Sequence, residues 1–323
     1  MKNRTKIILG GVILIGGLVF GFLASAYTIQ NLIDAPIKGD FTLGPGKAEF
    51  LLDPGEEATK IIHVTSRLGK PMKFKVEIED FKGSETGEYA STLLGSERGP
   101  YSLRDYLYPE VSEFTLNHGQ RIDLPVKIKI PQDAEPSGLY GAVIITTSPE
   151  EEEIKAGEEG AQGQIKFISR VASLFFVRIK GSANEEGVLE KFSTINSQIF
   201  YSHASVPFAV LYRNTGSVHL VPYGMVEIKN MWGKKVEEIE IDPYFVMPNS
   251  LRTREMNWQR SSGLGRYTAN IYLNRGYKDM VDEASFSFWI LPWKIITIST
   301  LILITLILAI IWIAKNVEIR KKH

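Results

Sequence analysis

Few side chains in this 323-residue chain could do chemistry. It contains no cysteine, which removes thiol nucleophiles, thiolate zinc sites and iron–sulfur sites. Four histidines, His63, His118, His203 and His219, lie in the body of the chain. None stands in an HExxH or HxH array. His63 falls in an alternating strand pattern and His118 in a turn, so they read as structural or solvent-facing groups rather than metal ligands. No Gly-x-Ser-x-Gly elbow occurs, and Gly44-Pro45-Gly46 lacks the Lys-Ser/Thr and the helix of a phosphate loop. Carboxylates are numerous, so a glycosidase pair stays open by residue type. The leading pair, Glu77 and Glu79, is two apart on one strand face beside lysines, the pattern of a solvated strand. Residues 150–163 hold six Glu and three Gly, and read as a solvated loop, with a calcium loop as the sharper alternative. The sequence thus assigns no catalytic residue, no metal ligand and no cofactor. A binding surface is the better expectation. Residues 82–110 interrupt two clear strands and carry Tyr89, Tyr101, Tyr106 and Tyr108 with Arg98, Arg104 and Asp105. Tyr and Arg supply the rigid amphipathic area that binding hot spots favour, and aromatic faces also hold sugar polymers. The competing reading is that these tyrosines fold back and cap the end of the fold. If they bind, Tyr106→Ala lowers ligand binding and leaves thermal stability intact; a large loss of stability marks Tyr106 as core.

The elements that position these residues are strands. Met72, Phe74, Val76 and Ile78 alternate with charged residues, and Ile122, Leu124, Val126, Ile128 and Ile130 do the same, the signature of a half-buried strand. Pro125 implies an edge strand or a bulge there. Stretches 59–66, 140–147 and 166–179 add strands to a first set. Phe208, Val210 and Tyr212 open a second, continued by 226–228, 236–241, 251–258, 267–273 and 285–288. Turn signals such as Asp53-Pro54-Gly55, Asn117-His118-Gly119, Asn214-Thr215-Gly216 and Asn274-Arg275-Gly276 fall between them. Outside the termini no stretch carries a 3.6-residue period. The fold class is therefore all-β, as two tandem immunoglobulin-like β-sandwiches over 38–182 and 187–288 with a Gly/Asn/Glu-rich boundary. The acidic stretch 150–163 reads as a loop inside the first.

The two ends of the chain place it. Thirteen of residues 295–314 are Ile or Leu and none is charged. Twenty helical residues span about 30 Å, the hydrocarbon thickness of a bilayer. Trp289, Trp293 and Trp312 stand where aromatic belts sit, and Lys315, Arg320, Lys321 and Lys322 mark the cytoplasmic side. The expectation is a transmembrane helix over 293–314 and a basic cytoplasmic tail over 315–323, joining the protein to the lipid bilayer. At the other end Lys2, Arg4 and Lys6 precede an apolar run and the small-x-small set Ala24-Ser25-Ala26. Residues 1–26 are a cleaved signal peptide or an uncleaved signal anchor; both place the body of the chain outside the cytoplasm. Setting residues 1–6 and 315–323 aside leaves 30 basic against 36 acidic residues. That balance argues against nucleic acid and against docking on anionic lipid by charge.

Several local patterns belong together. Leu52-Asp53-Pro54-Gly55 precedes the strands at 61–65 and 74–78. Ile128-Lys129-Ile130-Pro131 precedes Glu135-Pro136-Ser137-Gly138-Leu139-Tyr140-Gly141-Ala142-Val143. A second module opens with Asn214-Thr215-Gly216-Ser217-Val218-His219-Leu220. With a C-terminal span and a short basic tail, the whole resembles the WxL-interacting surface proteins of Gram-positive bacteria over about residues 40–288 and the tail. The resemblance implies a first module associated with peptidoglycan and a second with host-protein binding. No ligand residue of that family carries over, and residues 81–111 and the acidic stretch depart from it. The reading is a membrane-anchored bacterial cell-surface protein, its bulk extracytoplasmic, that binds cell-wall polymer or a surface or host protein. The alternative is a non-catalytic accessory subunit of a membrane-bound complex. A surface hydrolase and a folding chaperone that donates or accepts strands are further rivals.

Overall fold

A computed structural model of the chain describes residues 27–32, 35–148, 168–260 and 263–316. The expected signal or anchor segment 1–26, the acidic stretch 150–163 and tail residues 317–323 lie outside the described residues. Among the described residues the chain is mostly strand, with one long helix at its end.

Strands before residue 180 form two main sheets. In the first, Gln120–Lys129 lies between Glu57–Arg67 and two short outer strands, Thr28–Asn31 and Leu107–Pro109, and Asp40–Gly44 pairs on the far side of Glu57–Arg67. The second runs Lys47–Leu52, Arg170–Ile179, Gly138–Ser148, Met72–Glu79, Glu113–Leu116. The chain crosses between sheets at Gly44-Pro45-Gly46, so Lys47–Leu52 pairs parallel to Arg170–Ile179 while the other pairs in this sheet are antiparallel. Alternation decides the buried faces as the sequence implies. Ile122, Leu124, Val126 and Ile128 point into a core shared with Ile62, Val64, Phe74 and Phe175. The outer strand Thr28–Asn31 lies ahead of the 38–182 span read from the sequence, because a polar four-residue strand leaves no periodic signal.

Pro125 departs from the edge-strand expectation. Its strand has neighbours on both sides, but the outer neighbours cover only 120–123 and 126–128. Its carbonyl points outward and accepts from the N–H of Glu110 at 3.1 Å. In an antiparallel strand a residue's N–H faces the same way as its C=O. The N–H that proline lacks would therefore fall at the break between the two outer strands, where no ladder bond needs it.

Strands after residue 187 form two more sheets: Gly187–Thr194, Ser205–Asn214, Ser250–Gln259, and Phe200–Tyr201, Val281–Ile290, Gly265–Asn274, Tyr223–Asn230, Lys235–Ile241. Their core holds Phe208, Phe288, Trp258 and Tyr267. The Trp258 indole donates to Glu237 at 2.6 Å, which meets the one polar demand of that buried ring. The expected Asn-Thr-Gly turn forms around a buried Asn214. Its amide donates to the carbonyls of Val218 (2.8 Å) and Val246 (2.9 Å) and its oxygen accepts from Gly216 N–H at 2.8 Å. The boundary residues are tied to that turn, through Thr215 N–H to Glu186 O (2.8 Å) and Ser217 N–H to Asn184 O (2.9 Å).

The helix Trp293–Asn316 follows Ile290 after two residues, and residues 296–315 are long and apolar enough to cross a membrane. Its hydroxyls turn back on the backbone: Thr297 donates to Trp293 O and Thr300 to Ile296 O, at 2.7 and 2.8 Å. An apolar surround tolerates a hydroxyl in that arrangement.

Candidate functional site

Segment 82–110 is organised by two carboxylates at the end of Met72–Glu79. Asp80 is fully buried and accepts from the N–H groups of Gly99 (3.0 Å) and Arg104 (3.2 Å). Glu79 accepts from Gly95 N–H at 3.2 Å and pairs with Arg170. A buried carboxylate is tolerated when its lone pairs are filled, and here the loop backbone fills them. Glu79 is thus not the solvated strand-face group that its sequence pattern implies. Glu77 is the wetter of the two; the Lys75 ammonium bonded to it, with Thr146 and Arg170 beside it, holds its carboxyl below the usual range against the opposing effect of burial.

The six residues offered by the sequence are distributed by this framework. Arg104 donates to the carbonyls of Gly95 (3.2 Å) and Ser96 (3.1 Å) and closes the loop on itself. Tyr106 packs against the core of the first half. Tyr101 lies against Tyr140, ring centroids 6.3 Å apart, and its hydroxyl accepts from Asn249 at 3.0 Å. Arg98 is an exposed partner of Asp105. Tyr89 and Tyr108 are 60% and 48% exposed. Tyr108 stands on the outer strand of the first sheet over Lys129, whereas Tyr89 follows a segment docked on the second half. The fold brings Tyr101 to the junction of the halves and Tyr106 to a core, and leaves Tyr89, Arg98 and Tyr108 at the surface on separate elements.

The junction is the most elaborate apolar feature outside the two cores. The outer face of the second sheet presents Tyr140, Ala142, Ile144 and Phe176, covered by Phe81 just ahead of the segment and by Met247 and Phe245 from the second half. Phe176 packs 5.1 Å from the rings of both Phe245 and His219. The segment also adds backbone pairing to the edge of Ser250–Gln259: Leu251 N–H to Ser84 O and Thr253 N–H to Gly87 O, both 2.9 Å. Gly87 sits at φ +83°, a left-handed conformation that favours glycine, and a Cβ there would press on the end of the Leu211 side chain at 2.9 Å.

At the centre, Tyr140 Oη accepts from the backbone N–H of His219 at 2.7 Å and lies 3.3 Å from its Nδ1. Burial pushes the tyrosine hydroxyl above its ordinary range. Burial also lowers the imidazole to about 4, with Lys47 and Arg178 adding to the effect and Glu49 opposing it. A neutral ring then accepts the tyrosine proton at Nδ1 and turns Nε2 toward Glu49, 3.7 Å away. His219 is therefore structural, as its sequence context implies. His63 bonds Asp123 across the sheet at 2.6 Å, and His118 bonds Ala35 O at 2.9 Å and Gly69 N–H at 3.2 Å.

Beside the junction a shallow cleft of about 560 Å³ is lined by Glu49, Leu51, Arg178, Lys180 and His219. One wall is Lys47–Leu52, the outermost strand of the second sheet. The carbonyls of Gly46 and Leu52 are taken by Leu174 and Lys180. By alternation the even-numbered residues face the sheet, and Lys47, Glu49 and Leu51 turn their N–H and C=O to the other side, where no described strand pairs with them. Leu51 is 57% exposed. Sequence reasoning missed this edge and the junction residues Tyr140, Phe176, His219 and Phe245. The available signal was the apolar run around 140–146, buried on both faces, which marks a sheet covered on both sides. Among the described residues no group of three or more His, Asp or Glu could hold a metal ion.

No protein-family model matches the chain, and no curated protein matches it in sequence. Among solved structures it is similar to the class 5 fimbriae chaperone CfaA, at 9% identity and TM-score 0.38, over 78% of this chain and 100% of that one. The E. coli chaperone DraB overlaps at 12% identity and TM-score 0.34, over 76% and 98% of the two chains. The Salmonella enterica SafA pilin in complex with the SafB chaperone overlaps at 12% and 0.34, over 81% and 100%. At these scores the likeness is one of general β-rich shape.

Proposed function

We propose that this chain is a non-catalytic, membrane-anchored surface protein of a bacterium, of the WxL-interacting kind. Two immunoglobulin-like modules stand outside the plasma membrane, one helix spans it, and the basic tail is cytoplasmic. Its partner is a protein, taken as an added strand on Lys47–Leu52. The observation that carries this reading is the edge itself: three residues present backbone groups that no other described residue pairs, beside a cleft with a half-exposed leucine. Such an edge binds an extended segment through main-chain bonds, with side-chain pockets adding selectivity. The wall-polymer reading keeps Tyr89, Arg98 and Tyr108 as its surface, but Tyr101, Tyr106 and Arg104 are engaged within the fold, so no continuous aromatic platform remains.

The test is photo-crosslinking in the living cell. A benzophenone amino acid is placed singly at Leu51, Tyr89 and Tyr108 of the full chain. Protein adducts from position 51 are expected, lost in Glu49→Pro, which removes an outward N–H, and retained in Glu49→Ala, which keeps it. Adducts to wall polymer from positions 89 and 108, with none from 51, would replace this reading by the polymer one. Membrane pelleting of the same cells checks the anchor; release of the chain by salt alone would remove it.

A further inference from the structure

The end of the second half that meets the helix is rich in exposed apolar and aromatic side chains. Val281–Ile290 passes through Leu291 and Pro292 into the helix at Trp293, and the three steps from Ile290 to Trp293 reach at most about 11 Å. If the helix crosses a bilayer, the bilayer surface lies at the Ile290 end of this sheet. Register shows what else lies there. Ile290 is opposite Gly265, Phe288 is opposite Tyr267, and Tyr267 is opposite Asn230. The turn beyond Asn230, Met231-Trp232-Gly233, is therefore level with Ile290.

That turn is built to present its indole. Asn230 Oδ1 accepts from the N–H of Trp232 and of Lys234, both at 3.1 Å, and Gly233 N–H closes on Asn230 O at 2.9 Å. Trp232 is 81% exposed, more than any other large apolar side chain among the described residues. On the opposite flank Phe200, also exposed, is held beside Trp289, with Trp289 N–H donating to Ile199 O at 2.7 Å. Apolar side chains in such number on one end of a domain mark an interaction surface. Tryptophan is the residue that settles in the headgroup layer, where its ring is apolar and its N–H stays wet.

We propose that the Trp232 hairpin is a second membrane contact: Met231 and Trp232 enter the headgroup layer of the bilayer that the helix crosses, and Phe200 and Trp289 rest on it from the other flank. The contact holds the second half at a set tilt. Its anchoring side chains are apolar, and the flanking Lys229 and Lys235 are paired with Glu227 and Glu238, so it forms on zwitterionic lipid.

This inference rests on the reading that residues 296–315 cross the bilayer, and the test separates the two. The chain has no cysteine, so single-cysteine variants label cleanly. Full-length Met231→Cys, Lys234→Cys, Lys278→Cys and Leu306→Cys are nitroxide-labelled in phosphatidylcholine vesicles, and depth is read from collision with oxygen against a water-soluble nickel chelate. Leu306 is expected deep in the hydrocarbon, Met231 and Lys234 at headgroup depth, and Lys278, at the far end of the same sheet, in water. Adding Trp232→Ala to the Lys234→Cys variant, which keeps Met231 in place, should raise nickel collision several-fold. A deep Leu306 with labels at 231 and 234 as wet as the one at 278 overturns the hairpin contact. A wet Leu306 overturns the span.

Discussion

Two five-stranded sheets of this protein treat their outer faces in opposite ways. The sheet from Lys47–Leu52 to Glu113–Leu116 turns Tyr140, Ala142, Ile144 and Phe176 outward. The sheet from Phe200–Tyr201 to Lys235–Ile241 buries Val226, Ile228, Ala269 and Ile271 inward and leaves Glu227, Thr268, Asn270 and Ser285 on the other side. The second of these presents a polar outer face. The other needs a third layer, which the 82–110 segment and the second half supply. A polar face in period two marks a surface, and an apolar run without period marks a junction. The two halves therefore form a coupled pair.

The comparison breaks most readily at Phe176. Phe176→Ala should cost about 3–5 kcal/mol, the range for a fully buried aromatic, and split one calorimetric transition into two. Thr268→Ala on the solvated outer face should stay within about 0.5 kcal/mol. Equal effects at the two sites would mean that the junction is not a core. Acid tests the same place. The His219 imidazole is held at about 4 against an ordinary 6.5, so the opened chain takes up a proton below pH 6.5 and the closed one does not until about 4. Stability is thus full above 6.5 and falls as the pH drops toward 4. At about 1.4 kcal/mol per unit, the loss reaches roughly 3 kcal/mol; chemical denaturation across that window should show it, and His219→Gln should flatten it.

Gly87→Val meets Leu211 and a left-handed backbone, and should cost about 2 kcal/mol. Its readout is proteolysis at Lys82 and Arg98, which should quicken while cleavage elsewhere does not. Smallest is the contrast within the tyrosine set. Tyr106→Ala should lower stability by about 1–2 kcal/mol and Tyr89→Ala by less than about 0.5, measured by urea midpoints. The reverse order would return Tyr106 to the surface.

Local period carried the strands and the terminal helix into view, because burial on one face repeats every two residues and an apolar span repeats everywhere. Asn214 and its glycine were legible for the same reason, since the turn is made by its own neighbours. The destination of the tyrosines was not. Tyr140 and His219 are 79 residues apart, and no local pattern reports that meeting. Asp80 and Glu79 looked like ordinary charges at a strand end, because what buries them is a loop that folds back from beyond. The edge at Lys47–Leu52 was equally silent, since its outer side is defined by the lack of a partner among the described strands.

The passage from Ile290 into the helix also decides how the protein bears a load. A pull between the helix and anything gripping the first half enters along the axis of Val281–Ile290. That strand is matched residue for residue with Gly265–Asn274, from Gly265 opposite Ile290 to Asn274 opposite Val281. Drawn lengthwise, the pairs resist together in shear instead of opening one after another like a zip. Val281–Ile290 is thus placed as a mechanical tether for any load applied through the helix that follows it.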